Sequence, residues 1–442
     1  RSCATRPARS RCATTSSKVR YRLAVIAGRL ARWLLRLRGG GSAVPGRVAL
    51  AIAPKFLERA VSRLPLGVVF VSGSNGKSTT TNMLTAILRE HGLNVFTNPS
   101  GGNLPQGIAS ALLADVPLDG YVRGDVGVIE VDEAYGVDLA TVLKPRGSLL
   151  LNVQIDQLNR FFEPTRVIGM LRTIAERSGE FVVVNADDDS LARVGAELAA
   201  DGRDVTTFAV APAIIESSPN GLANVTDFSG AAAGTLPVPA VFVSKLETQS
   251  AQLTIGGESV RIGLPARGLH YAVDAAGATA MARRVLGDDF RSEAVVAAMS
   301  SLRTVYGRGE TLRVGDEDIE IIMMKNPPSL QLNLDYLSHS PEQVFVSVDE
   351  GTPDPSWVYD IDLSKLEHVD IVSGTKAWQF ATRFAYAGIE VDQVMPELKP
   401  ALQAFLALPK PSRGTKTMIV NYEQMMAIRK QLGFLDLEGG AS

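Results

Sequence analysis

The chain has 442 residues, of which 45% are hydrophobic, and a formal net charge of −2. This length allows two or three domains with cores of their own, and the composition is typical of a soluble globular protein. The two cysteines, Cys3 and Cys12, exclude a disulfide-stapled secreted fold and a cysteine zinc site for the main body. No apolar run reaches the roughly 20 residues of a membrane span, so we expect a cytoplasmic protein.

The first segment, residues 1–20, is rich in Arg and Ser and contains no acidic residue. Two interpretations stay open for it. An organelle transit peptide has this composition, and so does an unstructured extension without a function. We predict a basic, disordered leader.

Residues 21–38, YRLAVIAGRLARWLLRLR, predict a basic amphipathic helix. At about 100° per residue the large apolar side chains share one face and the arginines the opposite one. The apolar set is Leu23, Ile26, Leu30, Trp33 and Leu37, and the basic set is Arg22, Arg29, Arg32 and Arg36. Such a helix can lie on an anionic membrane surface, which would place the protein at the inner face of the membrane. The alternative, which we expect because docking helices are common, is that the apolar face packs on the protein's own core. A loop rich in Gly and Pro completes this region, which ends at residue 56.

Short apolar runs alternate with helical patterns over residues 57–303. This alternation predicts an α/β domain with a parallel sheet that is covered on both faces. Its predicted strands are 67–73, 126–134, 148–153 and 181–189. Residues 205–265 lose the alternation and predict a small insertion or β-rich lobe.

A second alternation predicts a C-terminal Rossmann-like α/β domain over residues 304–436, followed by a tail over 437–442. Its candidate strands are 318–324, 343–348, 368–373 and 416–421.

The stretch FVSGSNGKSTTTNML, residues 70–84, predicts a phosphate-binding loop between a strand and a helix. Its spacing, G-x-x-G-K-S, is two residues shorter than the usual P-loop. Gly73 and Gly76 permit a tight turn, the amides of the following helix face the phosphates, and Lys77 adds a positive charge. The alternative is a glycine-rich turn with an incidental lysine.

Magnesium is expected beside this loop, because an ion held by phosphate and the Ser78 hydroxyl also needs a carboxylate. The run VIEVDEA offers Glu130, Asp132 and Glu133 at the carboxyl end of a strand, where α/β ligand sites gather. If the strand continues, Glu130 and Asp132 share one face and Glu133 points elsewhere. We predict that Glu130 is the ligand; the alternative is a set of solvated acids at the end of a strand.

Together with this loop, several further motifs of the chain resemble those of the Mur ligase superfamily, whose members join acids to amines through an acyl phosphate. GSNGKST is that superfamily's loop, shared with folylpolyglutamate synthases, and GGN at Gly101–Asn103 is similar to its second motif. Glu130 matches the magnesium carboxylate, GLHYAVDAAGATA at 268–280 is similar to the GxHNxxNxxA helix, and Arg308 matches a nucleotide-contacting arginine. The resemblance implies a central P-loop domain with a parallel sheet, followed by the Rossmann-like domain.

The same resemblance implies the site residues. The expected ATP contacts are Gly73, Ser74, Asn75, Gly76, Lys77, Ser78, Thr79, Asn103, Asp274, Arg308 and Asn326. The expected substrate contacts are Asn98, Ser100 and Gly101. Lys77 and Glu130 are the expected catalytic residues, with Mg²⁺ on Ser78 and Glu130.

A narrower resemblance points to the MurT family, the ATP-binding subunits of lipid II isoglutaminyl synthases, over nearly the whole chain. The motifs that carry it follow in the family's order: RGGGSAVPGRVAL, NPSGGN, EVDEA, GRGE, KNPPS and DPSWVYDID. It implies ATP-dependent amidation of the α-carboxylate of D-glutamate in the lipid II stem peptide, giving D-isoglutamine. Ammonia would come from a GatD-like glutaminase subunit, whose Cys-His pair Asp354 would complete. The alternative is that Asp354 only forms the turn in TPDPS. No nucleic-acid partner is expected.

The sequence departs from these families at three places. Residues 205–265 contain no cysteine, so the zinc ribbon common in MurT proteins is absent and no zinc is predicted. Gln157 follows Asp156 where Mur ligases place a histidine. Tyr271 and Asp274 replace the two asparagines of GxHNxxN.

Two other functions remain open at this stage. A stand-alone Mur or folylpolyglutamate-type ligase would join an amino acid without a partner and would leave DPSW unexplained. A non-catalytic nucleotide-binding scaffold would regulate a partner, and the altered HYxxD segment is its best support. ATPase activity of the assembled complex separates an enzyme from a scaffold.

Overall fold

The computed structural model describes residues 10–36, 43–98, 102–154, 164–218, 221–222, 235–302, 308–337 and 339–434. Among the helices of these ranges, none has the length and apolar composition that crossing a membrane requires. Ser100, Gly101, Asp156 and Gln157 lie outside the described residues.

In the described ranges, nine strands form one sheet in the order β2-β3-β1-β4-β5-β6-β7-β8-β9. The strands are β1 (Val68–Ser72), β2 (Val95–Thr97), β3 (Val126–Glu130), β4 (Gly147–Leu150), β5 (Phe181–Asn185), β6 (Asp204–Val210), β7 (Val241–Leu246), β8 (Ser250–Ile255) and β9 (Glu258–Gly263). The pairs from β2 to β7 are parallel, whereas β8 and β9 are antiparallel additions. The predicted α/β class is confirmed.

Helices cover both faces of this sheet, as the continuous apolar strands require. The helices described in this half of the chain are α1 (Ser10–Arg36), α2 (Val44–Ile52), α3 (Phe56–Val61), α4 (Lys77–Glu90), α5 (Pro105–Asp115), α6 (Glu133–Leu143), α7 (Pro164–Glu176), α8 (Asp189–Ala200), α9 (Pro212–Ser217), α10 (Leu269–Leu286) and α11 (Ser292–Ser301). Phe70 and Ile129 belong to the core on one face, with α3, α5 and α6. Val69 and Val71 belong to the core on the other, with α4 and α10. Both faces of β1 are therefore buried, and the loop that follows it begins at the end of a strand packed on both sides.

The segment 205–265 is not a separate lobe, in contrast to our expectation. Its strands β6 to β9 extend the edge of the same sheet. The alternation of continuous apolar runs with helical patterns is lost here, because strands such as β8 are not apolar throughout. Strand β8 buries only every second residue, Ala251, Leu253 and Ile255, and leaves the others partly exposed. Antiparallel strands with one solvated face have this pattern.

A second sheet lies in the C-terminal half, with the order β10-β11-β15-β12-β13-β14. Its strands are β10 (Arg308–Val314), β11 (Glu317–Met323), β12 (Val344–Ser347), β13 (His368–Ser373), β14 (Glu390–Met395) and β15 (Lys416–Val420). Its helices are α12 (Pro327–Asp335), α13 (Ala377–Tyr386), α14 (Leu398–Leu406) and α15 (Tyr422–Gln431). Only the β10–β11 pair is antiparallel within the described residues. The Rossmann-like α/β character predicted for this half is confirmed.

The N-terminal amphipathic helix forms, but it begins at Ser10, within the segment 1–20 predicted to be disordered, and its predicted packing face was wrong. Ala24, Val25 and Gly28 are buried, whereas Leu23 and Leu30 are exposed. Helix α1 packs through its small residues, because only these allow a close approach to α2 and α5. The large apolar side chains therefore face outward, and Leu37 lies outside the described residues.

Candidate active site

The turn after β1 requires its two glycines. Gly73 has φ +141° and Gly76 has φ +82°, backbone values that disfavour any residue with a Cβ. A Cβ at Gly73 would lie 3.0 Å from the Asn152 nitrogen, and one at Gly76 would lie 2.3 Å from Oδ1 of Asp274. The amides of Ser74 and Asn75 donate to the backbone oxygen and to Oδ1 of Asn152, at 3.0 and 2.9 Å. The loop is thus fixed against the segment after β4 and against α10.

Replacing Gly76 by alanine is expected to strain the loop and to push it away from Asp274. We expect a loss of roughly 1–2 kcal/mol of folding free energy from the left-handed backbone alone, and at least a tenfold loss of ADP affinity (about 1.4 kcal/mol) because the phosphate-facing amides move. Calorimetric titration and thermal unfolding measure the two effects.

Gly92 provides the matched control for this variant. It has φ +85°, but a Cβ there would meet nothing within 4 Å. Gly92→Ala should therefore reduce stability by a similar amount and leave ADP affinity unchanged. Equal ADP affinity in both variants would show that the Gly76 contact has no role in binding.

Lys77, the first residue of α4, is buried and points back onto the loop. Its Nζ donates to Oε1 of Glu133 at 2.8 Å, to the Gly73 oxygen at 2.5 Å and to the Ser74 oxygen at 3.3 Å. The side chains of Lys77 and Glu133 are only 9% and 5% exposed, so this is a buried ion pair. Glu133 therefore belongs to the site, although the sequence analysis had it pointing elsewhere.

Glu130 ends β3, directly beside β1, and its side chain has an unsatisfied oxygen. Oε2 of Glu130 is buried without a hydrogen-bond partner among the described residues. A buried carboxylate oxygen in this condition is costly unless a cation or donor satisfies it. Carboxylate and hydroxyl oxygens are ligands that magnesium takes, so the Glu130 oxygen and the Ser78 hydroxyl, on the first turn of α4, are the candidate ligands for such an ion.

Asp132 lies beyond the strand, so the shared face expected for a strand that continues past Glu130 is not formed. The strand ends at Glu130, and Asp132 becomes the N-cap of α6, accepting from the amides of Ala134 and Tyr135 at 3.1 and 3.4 Å. A capping aspartate stabilises the start of a helix, so Asp132 positions Glu133 for its pairing with Lys77.

Asn98, predicted to contact substrate, holds the end of β3 in place. Its Oδ1 accepts from the backbone amide of Glu130 at 2.8 Å. Its Nδ2 donates to the backbone oxygens of Glu130 and Gly102, at 2.9 and 3.0 Å. Asn103 is partly buried in the same segment, just before α5. Asn98 thereby links this segment to the carboxylate proposed for magnesium.

Asp188, which was not among the residues selected from the sequence, supports the segment 152–154 to which the phosphate loop is anchored. Asp188 caps α8 through the Leu191 amide at 3.0 Å and accepts from the Val153 amide at 2.7 Å. Burial raises the pKa of Asp188 to about 6, against the lowering effect of these amides. Asp188 thus positions the 152–154 segment, to which the loop is anchored.

The KNPPS segment of the second domain contacts the phosphate loop. Lys325 Nζ donates to the Ser74 oxygen at 3.1 Å, and the side-chain amides of Asn326 and Asn75 pair at 3.1 and 3.3 Å. Oδ1 of Asn326 also caps α12 by accepting from the Ser329 amide at 3.0 Å. The C-terminal ends of β1 and β11 therefore meet across one cleft.

This cleft is lined by loop residues, by α10 and by the start of α12. Asp274 and Asn75 line it from the first domain, and Lys325 and Asn333 from the second. Among the predicted contacts, the structure brings together Gly73, Ser74, Asn75, Gly76, Lys77, Asp274 and Asn326. Ser78 and Thr79 are buried in the first turn of α4. Arg308 begins β10, and its side chain lies outside the described part.

Asp354 lies at a different surface, in the loop after β12. It is exposed, and Oδ1 accepts from the Ser356 amide at 2.9 Å. The Ser356 amide and hydroxyl hold the pKa of the Asp354 carboxyl below its usual value. Tyr359, which is 51% exposed, and Tyr386, which is 79% exposed, place their ring centroids 6.3 Å apart nearby in the fold. The structure therefore does not bring Asp354 to the phosphate loop.

Comparisons with known proteins agree with this two-domain arrangement. The Mur ligase middle domain family matches residues 71–236, and the MurT ligase C-terminal family matches residues 323–425. The chain is 26% identical to the lipid II isoglutaminyl synthase (glutamine-hydrolyzing) subunit MurT of Streptococcus pneumoniae over 84% of this chain and 88% of that one. It is 23% identical to the MurT subunit of Staphylococcus aureus over 95% of this chain and 99% of that one.

Solved structures with the same fold include two kinds of ligase. MurF from Acinetobacter baumannii superposes with a TM-score of 0.65 at 19% identity, covering 87% of this chain and 80% of that one. Folylpolyglutamate synthase from Mycobacterium tuberculosis, complexed with ADP and AMPPCP, has a TM-score of 0.63 at 17% identity, covering 92% and 99%. At these identities the likeness shows the fold alone.

Proposed function

The chain belongs to the MurT family of the Mur ligases, and from this premise we propose that it is the ATP-dependent ligase subunit of a lipid II isoglutaminyl synthase. The reaction is amidation of the α-carboxylate of D-glutamate in the lipid II stem peptide. The single observation that carries the proposal is that the glycine loop and the buried Lys77, which pairs with Glu133, follow a strand next to β3, and β3 ends in Glu130 with an unsatisfied carboxylate oxygen. A cytoplasmic setting follows, because ATP is supplied there.

In the proposed reaction an oxygen of the substrate carboxylate attacks the γ-phosphorus of ATP, and ADP leaves. Ammonia then attacks the acyl carbon and phosphate leaves, carrying the former carboxyl oxygen. Lys77 and the amides at the start of α4 hold the phosphates, so catalysis is mostly positioning and charge stabilisation. Mg²⁺, held by Ser78 and Glu130, would neutralise charge on the phosphates.

The resting contacts of Lys77 support this role. Its Nζ pairs with Glu133 and with two loop carbonyl oxygens, which keeps the charge buried and aimed along the loop. Phosphate oxygens are stronger acceptors than carbonyl oxygens, so bound ATP would replace the loop carbonyls as the partners of Lys77. Glu133 would remain in place and orient the amine.

The contacts of Lys325 and Asn326 support closure of the second domain over the acyl phosphate. They reach the loop at Ser74 and Asn75, which places the C-terminal domain against the cleft. Such a cover excludes water from a hydrolysable intermediate until ammonia arrives.

Ammonia would come from a GatD-like glutaminase that docks near Asp354. Trp378 is 66% exposed, and with Tyr359 and Tyr386 it adds large aromatic area to the surface of the second domain. Exposed aromatic side chains are enriched at protein interfaces. Asp354, kept ionised beside Ser356, is suited to orient a histidine of a docked partner.

Asp354→Asn is expected to lower glutamine-dependent turnover roughly 100-fold or more, because an amide cannot stabilise an imidazolium as a carboxylate does. Turnover with free ammonium should fall less than twofold. Steady-state rates with the two nitrogen sources measure the difference. Asp362→Asn is the matched control, since Asp362 is an exposed turn aspartate with the same Asx contact, to the Ser364 amide. Equal losses with both nitrogen sources would contradict the role given to Asp354.

The proposed function is tested by purifying the chain with a candidate glutaminase and supplying ATP, Mg²⁺, glutamine and lipid II. Mass spectrometry should show the decrease of one mass unit that accompanies conversion of an acid to an amide. Product formed by this chain alone from ATP and a free amino acid would instead support the stand-alone ligase. ATP binding without hydrolysis in the complex would support the scaffold.

A further inference from the structure

Helix α1 carries an apolar stripe that is exposed in the described part of the chain. Its six members are each between 48% and 58% exposed: Val19, Leu23, Ile26, Leu30, Trp33 and Leu34. Their spacing places them on one side of the helix, and they are called the α1 stripe below. A contiguous apolar surface of this kind marks an interaction site in a soluble domain.

The packing of α1 keeps the α1 stripe outward. A Cβ at Gly28 would lie 2.5 Å from Cδ1 of Leu113, so α1 and α5 are in close contact along this side. Arg29 fixes the helix further, since its Nε donates to the Leu113 oxygen at 2.9 Å and its guanidinium to the Val116 oxygen at 2.8 Å. The large side chains are thus held away from the core by direct contacts on the opposite side.

The charge of α1 identifies the chemistry of its partner. The helix contains no Asp or Glu, and the first acidic residue of the chain is Glu58. Lys18 and Arg22 are exposed and lie one turn apart. At about 100° per residue they flank the α1 stripe, so the prediction that Arg22 lies on the opposite face was wrong. An anionic surface that also offers apolar volume complements this arrangement. A second copy of α1 would instead bring like charges together.

We propose that the α1 stripe lies in the interface of an anionic lipid bilayer, with Lys18 and Arg22 at the headgroups. From Val19 to Leu34 the stripe is about 22 Å long at 1.5 Å per residue, which suits a helix that lies in the membrane plane. The opposite side of α1 stays packed on α2 and α5. The protein is therefore held at the surface without crossing the membrane.

The position of α5 connects this surface to the active site, an argument that rests on the proposed function. Helix α5 packs against α1, and it begins at Pro105, directly after the segment that Asn98 ties to Glu130. A membrane under α1 would thus be connected through α5 to the segment that contacts Glu130.

Co-sedimentation of the full chain with vesicles tests the proposal. The full chain should bind vesicles of phosphatidylglycerol and phosphatidylcholine and should bind pure phosphatidylcholine at least tenfold less. Leu23→Gln with Leu30→Gln should weaken binding roughly tenfold or more, since partition depends on buried apolar area. Lys18→Gln with Arg22→Gln should weaken binding and reduce its dependence on salt.

Val142→Gln with Val238→Gln is the matched control, because it removes two exposed apolar side chains elsewhere. It should bind as the unchanged chain does. Failure of the unchanged chain to bind anionic vesicles, or equal binding by the Leu23 and Leu30 variant, would overturn the proposal. The proposal would also be overturned if the unchanged chain self-associated without binding vesicles and the Leu23 and Leu30 variant no longer self-associated. That result would identify a second copy of the chain as the occupant of the α1 stripe. ATP-dependent amidation of a water-soluble peptide tests the active site separately.

Discussion

Replacing Lys77 by methionine is expected to lower the rate of ATP-dependent amidation roughly 1000-fold, the upper end of the range lost when a donor to transition-state charge is removed. The reason is geometric. Lys77 Nζ lies within hydrogen-bond distance of the Gly73 and Ser74 oxygens, at the turn where the phosphates would bind. Methionine keeps the length of the side chain and removes the charge. Binding of the glutaminase partner, on the other domain, should stay unchanged.

Stability must be separated from chemistry in this test. Lys77→Met leaves the Glu133 carboxylate buried without its cation, which costs about 3–5 kcal/mol in comparable pairs. Adding Glu133→Gln should recover most of that stability in thermal unfolding but none of the activity. Lys245→Met, at a lysine whose side chain is 64% exposed, is the control for loss of a lysine. Full amidation by the Lys77→Met protein would refute the assignment.

Replacing Glu130 by glutamine is the second variant for which we expect a large effect, a loss of roughly 100-fold or more. Glutamine has the same shape and can keep the backbone contacts with Asn98, but it has no negative charge for a metal ion. The concentration of Mg²⁺ required for half-maximal rate should rise as well. Rates measured across a magnesium titration give both quantities.

Asp132→Asn is the matched control for Glu130→Gln. It neutralises an acid two residues away, and asparagine is as good an N-cap as aspartate, so α6 and Glu133 should keep their places. We expect its rate and its magnesium requirement to stay within about threefold of the original, because removing the cap charge has a small effect. If Asp132→Asn raised the magnesium requirement as much as Glu130→Gln, the metal would have to be assigned to both acids.

The elements that sequence predicted well are those with strong local signals. The loop between β1 and α4 was predicted from its glycines, and the structure explains the glycines by φ values and by contacts with Asn152 and Asp274. Buried strands were predicted from continuous apolar runs. The strand β14 was missed, because half of the residues of Glu390–Met395 are polar and the strand lies at the edge of its sheet.

Features that depend on how helices are oriented could not be predicted from sequence. Periodicity shows which residues of α1 share a face, but the packed face was decided by Gly28 against Leu113. Likewise, the pairing of Lys77 with Glu133 depends on the place where α6 begins, which the Asp132 cap determines. The signal that could have identified Glu133 is its position: it is an acidic residue that directly follows an N-cap residue, just after the end of a buried strand.

The central claim is that the carboxylate is activated by transfer of the terminal phosphoryl group of ATP. The most direct measurement uses lipid II whose D-glutamate carboxyl group carries the heavy oxygen isotope, in the assembled complex with ATP, Mg²⁺ and glutamine. We expect one labelled oxygen in each inorganic phosphate released for each amide formed. Amide formed with unlabelled phosphate would show that the carboxylate is not activated in this way, whatever the affinity of the loop for nucleotide.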